Sequence, residues 1–353
     1  MIPILLSMSL SIILFSFLIP GMIFSYTLYS SSYYTTQNQY LIYIYNFNMT
    51  WENTSFNVHV VSNFTTHTPP LPPHSNISSF NLNGVLTYYD LYYNQYYLPI
   101  ISLFTNFTTS TFPINNGSVS IPVIKFYSPG GSYIIVSSQY GFPILIYNKT
   151  FENNIKFNFS VKLNFVKPLP NFIKTYNVYK VNLDYLFKGN TIHKEVYIVS
   201  PHATFSYHNL NIGNLTVSAL NISSQGYATV ILPIGEFPWV EPSGTIYVNG
   251  TAYSIIVQES SVYGNIFWET TYKYANKSFP FMGVMIGHYY VLFFPNGGKI
   301  SIIFSNFNQG EIVGIKESVI SSSDSFPSEY VLIVGFSVVI VIAIVVFIRS
   351  RRK

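Results

Sequence analysis

The chain has 353 residues, 18% of them aromatic and only 8% charged, with 31 Tyr, 30 Phe and no Cys. Its formal net charge is +4, yet thirteen lysines between Lys125 and Lys316 balance the thirteen carboxylates (13 − 13 = 0), so the surplus is the C-terminal group Arg349, Arg351, Arg352 and Lys353. This distribution excludes the basic footprint that nucleic acid requires, and the missing thiols exclude a disulfide framework and cysteine chemistry.

From the N-terminus, residues 2–24 are apolar but broken by Pro3, Ser7, Ser9, Ser11, Ser16, Pro20 and Gly21. Residues 1–25 are therefore expected to be a signal peptide or an N-terminal anchor. Residues 26–66 show apolar alternation, clearest over 41–45, and form the expected N-terminal β segment. Residues 67–75 hold Pro69, Pro70, Pro72 and Pro73 between His67 and His74, which predicts an extended polyproline linker.

Residues 76–166 are expected as a first β domain. It contains three tyrosine pairs, and the spacing of four sets Tyr88, Tyr92 and Tyr96 on one face of a strand or helix and Tyr89, Tyr93 and Tyr97 on another. Tyrosine joins an apolar ring to a polar tip, so this segment is a candidate aromatic contact surface. A hairpin over 123–127 and 133–136 is predicted around Pro129-Gly130-Gly131, and a strand over 157–165.

Lys167-Pro168-Leu169-Pro170 marks a second linker over 167–171. Beyond it, 172–317 is expected as a second β domain with strands over 175–181, 195–199, 215–220 and 227–232. Two hairpins are predicted there. One joins 245–248 to 251–257 through Asn249-Gly250, whose residues tolerate positive φ, and the other joins 289–294 to 299–304 through Pro295-Asn296-Gly297-Gly298. Residues 318–329, with Ser321, Ser322 and Ser323, read as a Ser-rich stalk. Residues 330–348 read as a transmembrane helix: the apolar run 331–348, at about 1.5 Å per residue, gives about 27 Å, close to the hydrocarbon thickness of a bilayer. The basic tail 349–353 that follows belongs on the cytoplasmic side and leaves the rest of the chain outside.

Twelve Asn-x-Ser/Thr sequons fall in that external part: Asn48, Asn53, Asn63, Asn76, Asn106, Asn116, Asn148, Asn158, Asn214, Asn221, Asn249 and Asn276. Glycans on several of them would supply the hydration that a chain so poor in charge lacks. The absence of Cys, the Tyr/Asn/Thr-rich external part and the stop-transfer end together resemble secreted and surface glycoproteins of thermoacidophilic archaea, and envelope proteins of their viruses. That resemblance rests on composition and topology across the whole chain, and it implies a setting rather than a family.

Residues able to carry chemistry are few. His202 and His208 have an even spacing, with His193 and Glu195 nearby, but no third ligand stands at a recognisable distance in sequence. Acid hydrolysis needs paired carboxylates. Asp90, Asp184, Glu236 and Glu241 are the ones to consider, the last two beside Trp239, although no Asp lies in a D-T/S-G triplet.

The sequence thus predicts an all-β protein of two β-sandwich-like extracellular units plus a C-terminal transmembrane helix. Its expected role is that of a single-pass surface glycoprotein, cellular or viral, acting in structure, adhesion or assembly. The expected partners are membrane lipid and other surface proteins or glycans, with no cofactor, no metal site and no nucleic acid. The alternative is a membrane-tethered acid hydrolase of thermopsin-like or other carboxylate-dependent type.

Overall fold

A computed structural model describes residues 18–52, 54–70, 73–82, 85–88, 106–127, 131–152, 154–169, 176–187, 189–212, 215–233, 244–255, 280–286, 289–304 and 310–323. These residues form twenty-one strands and no helix. Alternating aromatic and β-branched residues, as in Ile23–Tyr34 and Ile155–Lys167, suit a pleated surface with one face buried.

The first half of the chain builds a nine-stranded sheet. Its strands are β1 (Ile23–Tyr34), β2 (Gln39–Glu52), β3 (Ser55–His67), β4 (His74–Leu82), β6 (Asn106–Ile114), β7 (Val119–Tyr127), β8 (Tyr133–Ser137), β9 (Pro143–Glu152) and β10 (Ile155–Lys167), in the order β4-β3-β2-β1-β10-β9-β8-β7-β6. A seven-stranded sheet, in the order β21-β11-β12-β15-β19-β18-β5, contains β5 (Val85–Tyr88), β11 (Tyr176–Phe187), β12 (Asn190–Ser200), β15 (Ala228–Pro233), β18 (Met282–Ile286), β19 (Tyr289–Phe294) and β21 (Gly310–Ser323). A five-stranded sheet, ordered β13-β14-β20-β16-β17, holds β13 (His202–Ile212), β14 (Leu215–Gln225), β16 (Gly244–Val248), β17 (Thr251–Ile255) and β20 (Gly297–Phe304).

Two hydrophobic cores stack these sheets into three layers. One core joins Phe24, Trp51, Phe56 and Phe159 of the nine-stranded sheet to Tyr197, Val199, Ile231, Val291 and Phe293 of the seven-stranded sheet. The other joins Val196, Ile198, Val230, Leu292 and Phe294 to Leu220, Ile246, Ile300 and Ile302 of the five-stranded sheet. Alternate residues of β12, β15 and β19 thus enter opposite cores. A strand buried on both faces reads as a continuous apolar run, and residues 291–294 are each no more than 1% exposed. Each such side chain contributes about 1.5–3 kcal/mol on burial.

This arrangement differs from two sandwiches in series. The core face of the nine-stranded sheet is covered by strands of the C-terminal half. β5 also leaves the first half to pair in parallel with β18, Val85 opposite Met282. The expected linker at 67–75 is instead the connection of a hairpin, with Thr66 opposite His74. Residues 318–323 of the expected stalk are paired strand, Ser318 opposite Lys180 and Ser323 opposite Tyr176. The hairpin expected around Asn249-Gly250 forms, with φ of 51° and 82° at its two residues. The hairpin around Pro129-Gly130-Gly131 also pairs, β7 with β8. The expected 289–304 hairpin does not: β19 lies in the middle sheet and β20 in the five-stranded one, so Pro295 and Asn296 carry the chain between layers.

An internal repeat lies within the nine-stranded sheet. Residues 47–54 (FNMTWENT) and 147–154 (YNKTFENN) are 147 − 47 = 100 positions apart and share Asn, Thr, Glu and Asn. Both build hairpins, β2–β3 and β9–β10. β2 and β10 both pair antiparallel with β1, so β9 runs opposite to β2. A hairpin turned end over end within a sheet presents its other face. Trp51 is accordingly 2% exposed and its counterpart Phe151 62%.

Candidate functional site

The outer face of the nine-stranded sheet, turned away from the core, carries the most developed arrangement of side chains. One register row crosses all nine strands: Asn106, Tyr127, Tyr133, Tyr147, Ser160, Tyr29, Ile44, Asn63 and Ile77. Period-two alternation puts these positions opposite the core set Phe126, Ile134, Ile146, Phe159 and Leu28. The four tyrosines are half-exposed, and Ile77 at the edge is 68% exposed.

Tyr133 and Tyr147 stack at 5.0 Å between centroids and 26° between planes. The Lys125 ammonium sits 4.3 Å from the Tyr133 centroid, on the β7 side. A cation over the ring face and a ring against the other fix Tyr133 from both sides. Partial burial, and secondarily Tyr147, push the Tyr133 hydroxyl above its usual pKa, so it stays a neutral donor.

Lysines flank this row. Lys149 and Lys162 are exposed and stand two residues to either side of it, and exposed Lys156 lies further along β10. Among the described residues no carboxylate pairs with any of these lysines or with Lys125. Glu52, hydrogen-bonded by the Asn57 amide at 3.1 Å, shares this face at the β2–β3 turn. It lies six residues along the strand from the Lys162 row, about 20 Å away. A chain neutral over its first 329 residues therefore has a locally cationic, tyrosine-lined face. The signal was present in sequence as Tyr and Lys at even spacing in Tyr147-Asn148-Lys149 and Lys156 to Lys162. Only the sheet order brings those strands beside β1 and β8.

The other candidates are dispersed. Asp184 accepts a hydrogen bond from His193 Nδ1 at 2.7 Å, and Lys180 pairs with Glu195 at 2.6 Å. The Tyr197 hydroxyl also donates to Glu195, at 3.0 Å. Asp184 thus has an imidazole partner rather than the second carboxylate that shared-proton catalysis uses. Asp90, Glu236 and Glu241 lie outside the described residues. His202 is exposed on β13, and His208 Nδ1 accepts from the Asn221 amide at 2.8 Å. No group of three or more metal-ligating side chains occurs among the described residues. Tyr88 closes β5, and Tyr89, Tyr92, Tyr93, Tyr96 and Tyr97 lie outside the described residues.

The sequons divide by environment. Asn48, Asn116 and Asn249 are exposed, while Asn63, Asn158 and Asn221 are half-buried. Asn76 and Asn106 stand on β4 and β6, the two edge strands of the nine-stranded sheet. Asn148 is the exception. It is 0% exposed, its Oδ1 accepts from the Ser132 hydroxyl at 2.7 Å, and its Nδ2, the atom a glycan would join, is enclosed without a hydrogen-bond partner. A glycan at Asn148 would have to displace the packing that encloses this side chain. Asn53, Asn214 and Asn276 lie outside the described residues, as do the apolar run 331–348 and the cluster Arg349, Arg351, Arg352 and Lys353. Among the described residues no helix is long and apolar enough to cross a membrane.

No family model, curated protein or solved structure matches the chain.

Proposed function

We propose that the protein is a single-pass, membrane-anchored surface glycoprotein that works by contact, through its layered β scaffold, in adhesion or surface assembly. The observation that carries this reading is the nine-stranded outer face. Four half-exposed tyrosines in one register row, flanked by lysines that pair with no carboxylate among the described residues, form a broad surface with polar tips and apolar rings. Soluble proteins seldom leave such aromatic area open unless something docks on it. The apolar run 331–348 with its basic follower supports the anchor, and exposed Asn48, Asn116 and Asn249 support glycan attachment.

The test is side-specific labelling of intact cells or particles carrying the full chain. A membrane-impermeant amine reagent is expected to modify Lys149, Lys156 and Lys162 without permeabilisation. Modification only after lysis, with Asn48 unglycosylated, would overturn the proposed orientation.

A further inference from the structure

The row across the outer face contains one gap. Between Tyr147 on β9 and Tyr29 on β1, the intervening strand contributes only Ser160. Tyr147 and Tyr29 are two strands apart, about 9.6 Å at the usual spacing. Tyr133 stacks on Tyr147 from β8, and on its other side the strand next to Tyr147 is β10, whose residue in this row is Ser160. A flat ring inserted there would lie between two tyrosine side chains, Tyr147 on one side and Tyr29 on the other. Two van der Waals contacts of about 4 Å need about 8 Å, which the gap supplies.

The rims are polar and cationic. Lys162 and Thr27 pair in the register row on one side of the slot. On the other side stand Lys149 and Ser31, both opposite Asn158. Asn158 Oδ1 is enclosed and has no hydrogen-bond partner. Thr27 Oγ1 donates to Asn46 and accepts from the Asn164 amide, so that rim is held by a side-chain network. Neither lysine has a carboxylate partner among the described residues. Both point charges lie about one two-residue step, near 6.7 Å, from the row.

We infer that the slot floored by Ser160 binds one sugar unit of an anionic polysaccharide, with Tyr147 and Tyr29 against the ring faces and Lys149 and Lys162 on its sulfate or carboxylate groups. The inference rests on the contact reading above and names the partner class for it. Aromatic faces suit pyranose rings, and point-charge lysines suit dispersed anionic substituents. A neutral glycan would leave both lysines unanswered, and a protein edge would not use the ring-sized gap. Asn158 must carry no glycan of its own, because one attached there would fill the slot.

The test is equilibrium binding of the full-length protein to dextran sulfate, with unmodified dextran as the neutral control on the same backbone. Binding to dextran sulfate and not to dextran is expected, weakening as salt rises. Ser160→Phe, which plugs the gap and keeps every charge, is expected to weaken binding at least tenfold, as is Lys149→Gln with Lys162→Gln. Thermal unfolding of both variants checks that the fold is kept; if Ser160→Phe unfolds, Ser160→Leu fills the gap with less bulk and is expected to weaken binding likewise. Undiminished binding by a folded, plugged variant overturns the slot, as does tighter binding to oligo(dT) or to anionic phospholipid vesicles than to dextran sulfate. A glycan on Asn158, read by peptide mass spectrometry, also overturns it. Failure here with Lys149 still labelled from outside leaves the surface reading standing.

Discussion

Tyr227 packs its ring against Gly141, in the space where any Cβ on that glycine would fall. Gly141 has φ of +83°, so the position also demands a residue free to adopt the left-handed region. The Tyr227 hydroxyl donates to the Ser138 carbonyl, and Thr229 Oγ1 donates to the Gly141 carbonyl. These contacts clasp the β8–β9 turn of the nine-stranded sheet to the start of β15 in the middle layer. Gly141→Ala is therefore expected to destabilise the protein by about 3 kcal/mol or more, from overpacking and backbone strain together. Tyr227→Phe leaves the Ser138 carbonyl buried and unpaired, at a cost of about 1–3 kcal/mol. Denaturant midpoints of the purified chain measure both, and unchanged midpoints would dismiss the clasp.

The two copies of the repeated hairpin predict opposite responses to the same change. Trp51→Ala removes a 2% exposed indole that meets Phe56 at 4.8 Å, and is expected to cost about 3–5 kcal/mol. Phe151→Ala, a hundred positions on, removes a ring that is 62% exposed, and is expected to change stability by no more than about 0.5 kcal/mol. Comparable losses at both sites would contradict the end-over-end relation of the hairpins.

Sequon occupancy follows the same division. Where the host glycosylates Asn-x-Thr, Asn48→Gln is expected to reduce the intact mass by one glycan and Asn148→Gln to leave it unaltered beyond the side-chain difference. Peptide mapping that finds a glycan on Asn148 of folded protein would refute the buried placement.

Alkaline pH should weaken the fold through its interior tyrosines. Burial pushes the Tyr26 and Tyr227 hydroxyls well above their ordinary pKa of about 10. Below that value both states hold the proton, and the stabilisation is complete. Above it the unfolded chain loses protons that the folded chain keeps, so stability falls by about 1.4 kcal/mol per pH unit for each buried tyrosine. Unfolding followed from pH 9 to 12 is expected to show this slope, reduced in Tyr26→Phe. The Tyr26 hydroxyl also bonds the Pro143 carbonyl at 2.7 Å, so that variant starts from lower stability. A flat profile above pH 10 would contradict the burial of these groups.

The acid-hydrolase alternative makes an equally direct prediction. Purified full-length protein incubated with denatured protein at low pH is expected to leave it intact. Cleavage that Glu241→Gln abolishes would displace the contact reading in favour of catalysis.

Much of this protein was legible in one dimension. Alternation with period two specified strands, and Asn249-Gly250 specified its turn, because both depend on neighbours a few bonds away. The apolar run 331–348 with its basic follower and the sequons are local patterns too, and the anchor and glycans they suggest belong to the proposal. Asn48 and Asn148 show where local information stops. They share the same motif, yet one meets solvent and the other is sealed beside Ser132. Alternation says that two faces differ but not which face is covered. That choice depends on strand direction and on the partner sheet, and here the partner comes from the other half of the chain. Tertiary structure alone decided that three layers share a middle sheet, that 67–75 closes a hairpin, and that Tyr147, Ser160 and Tyr29 stand in one row. Pairing between distant strands is driven by burial summed over whole faces, and no short window of residues contains that sum.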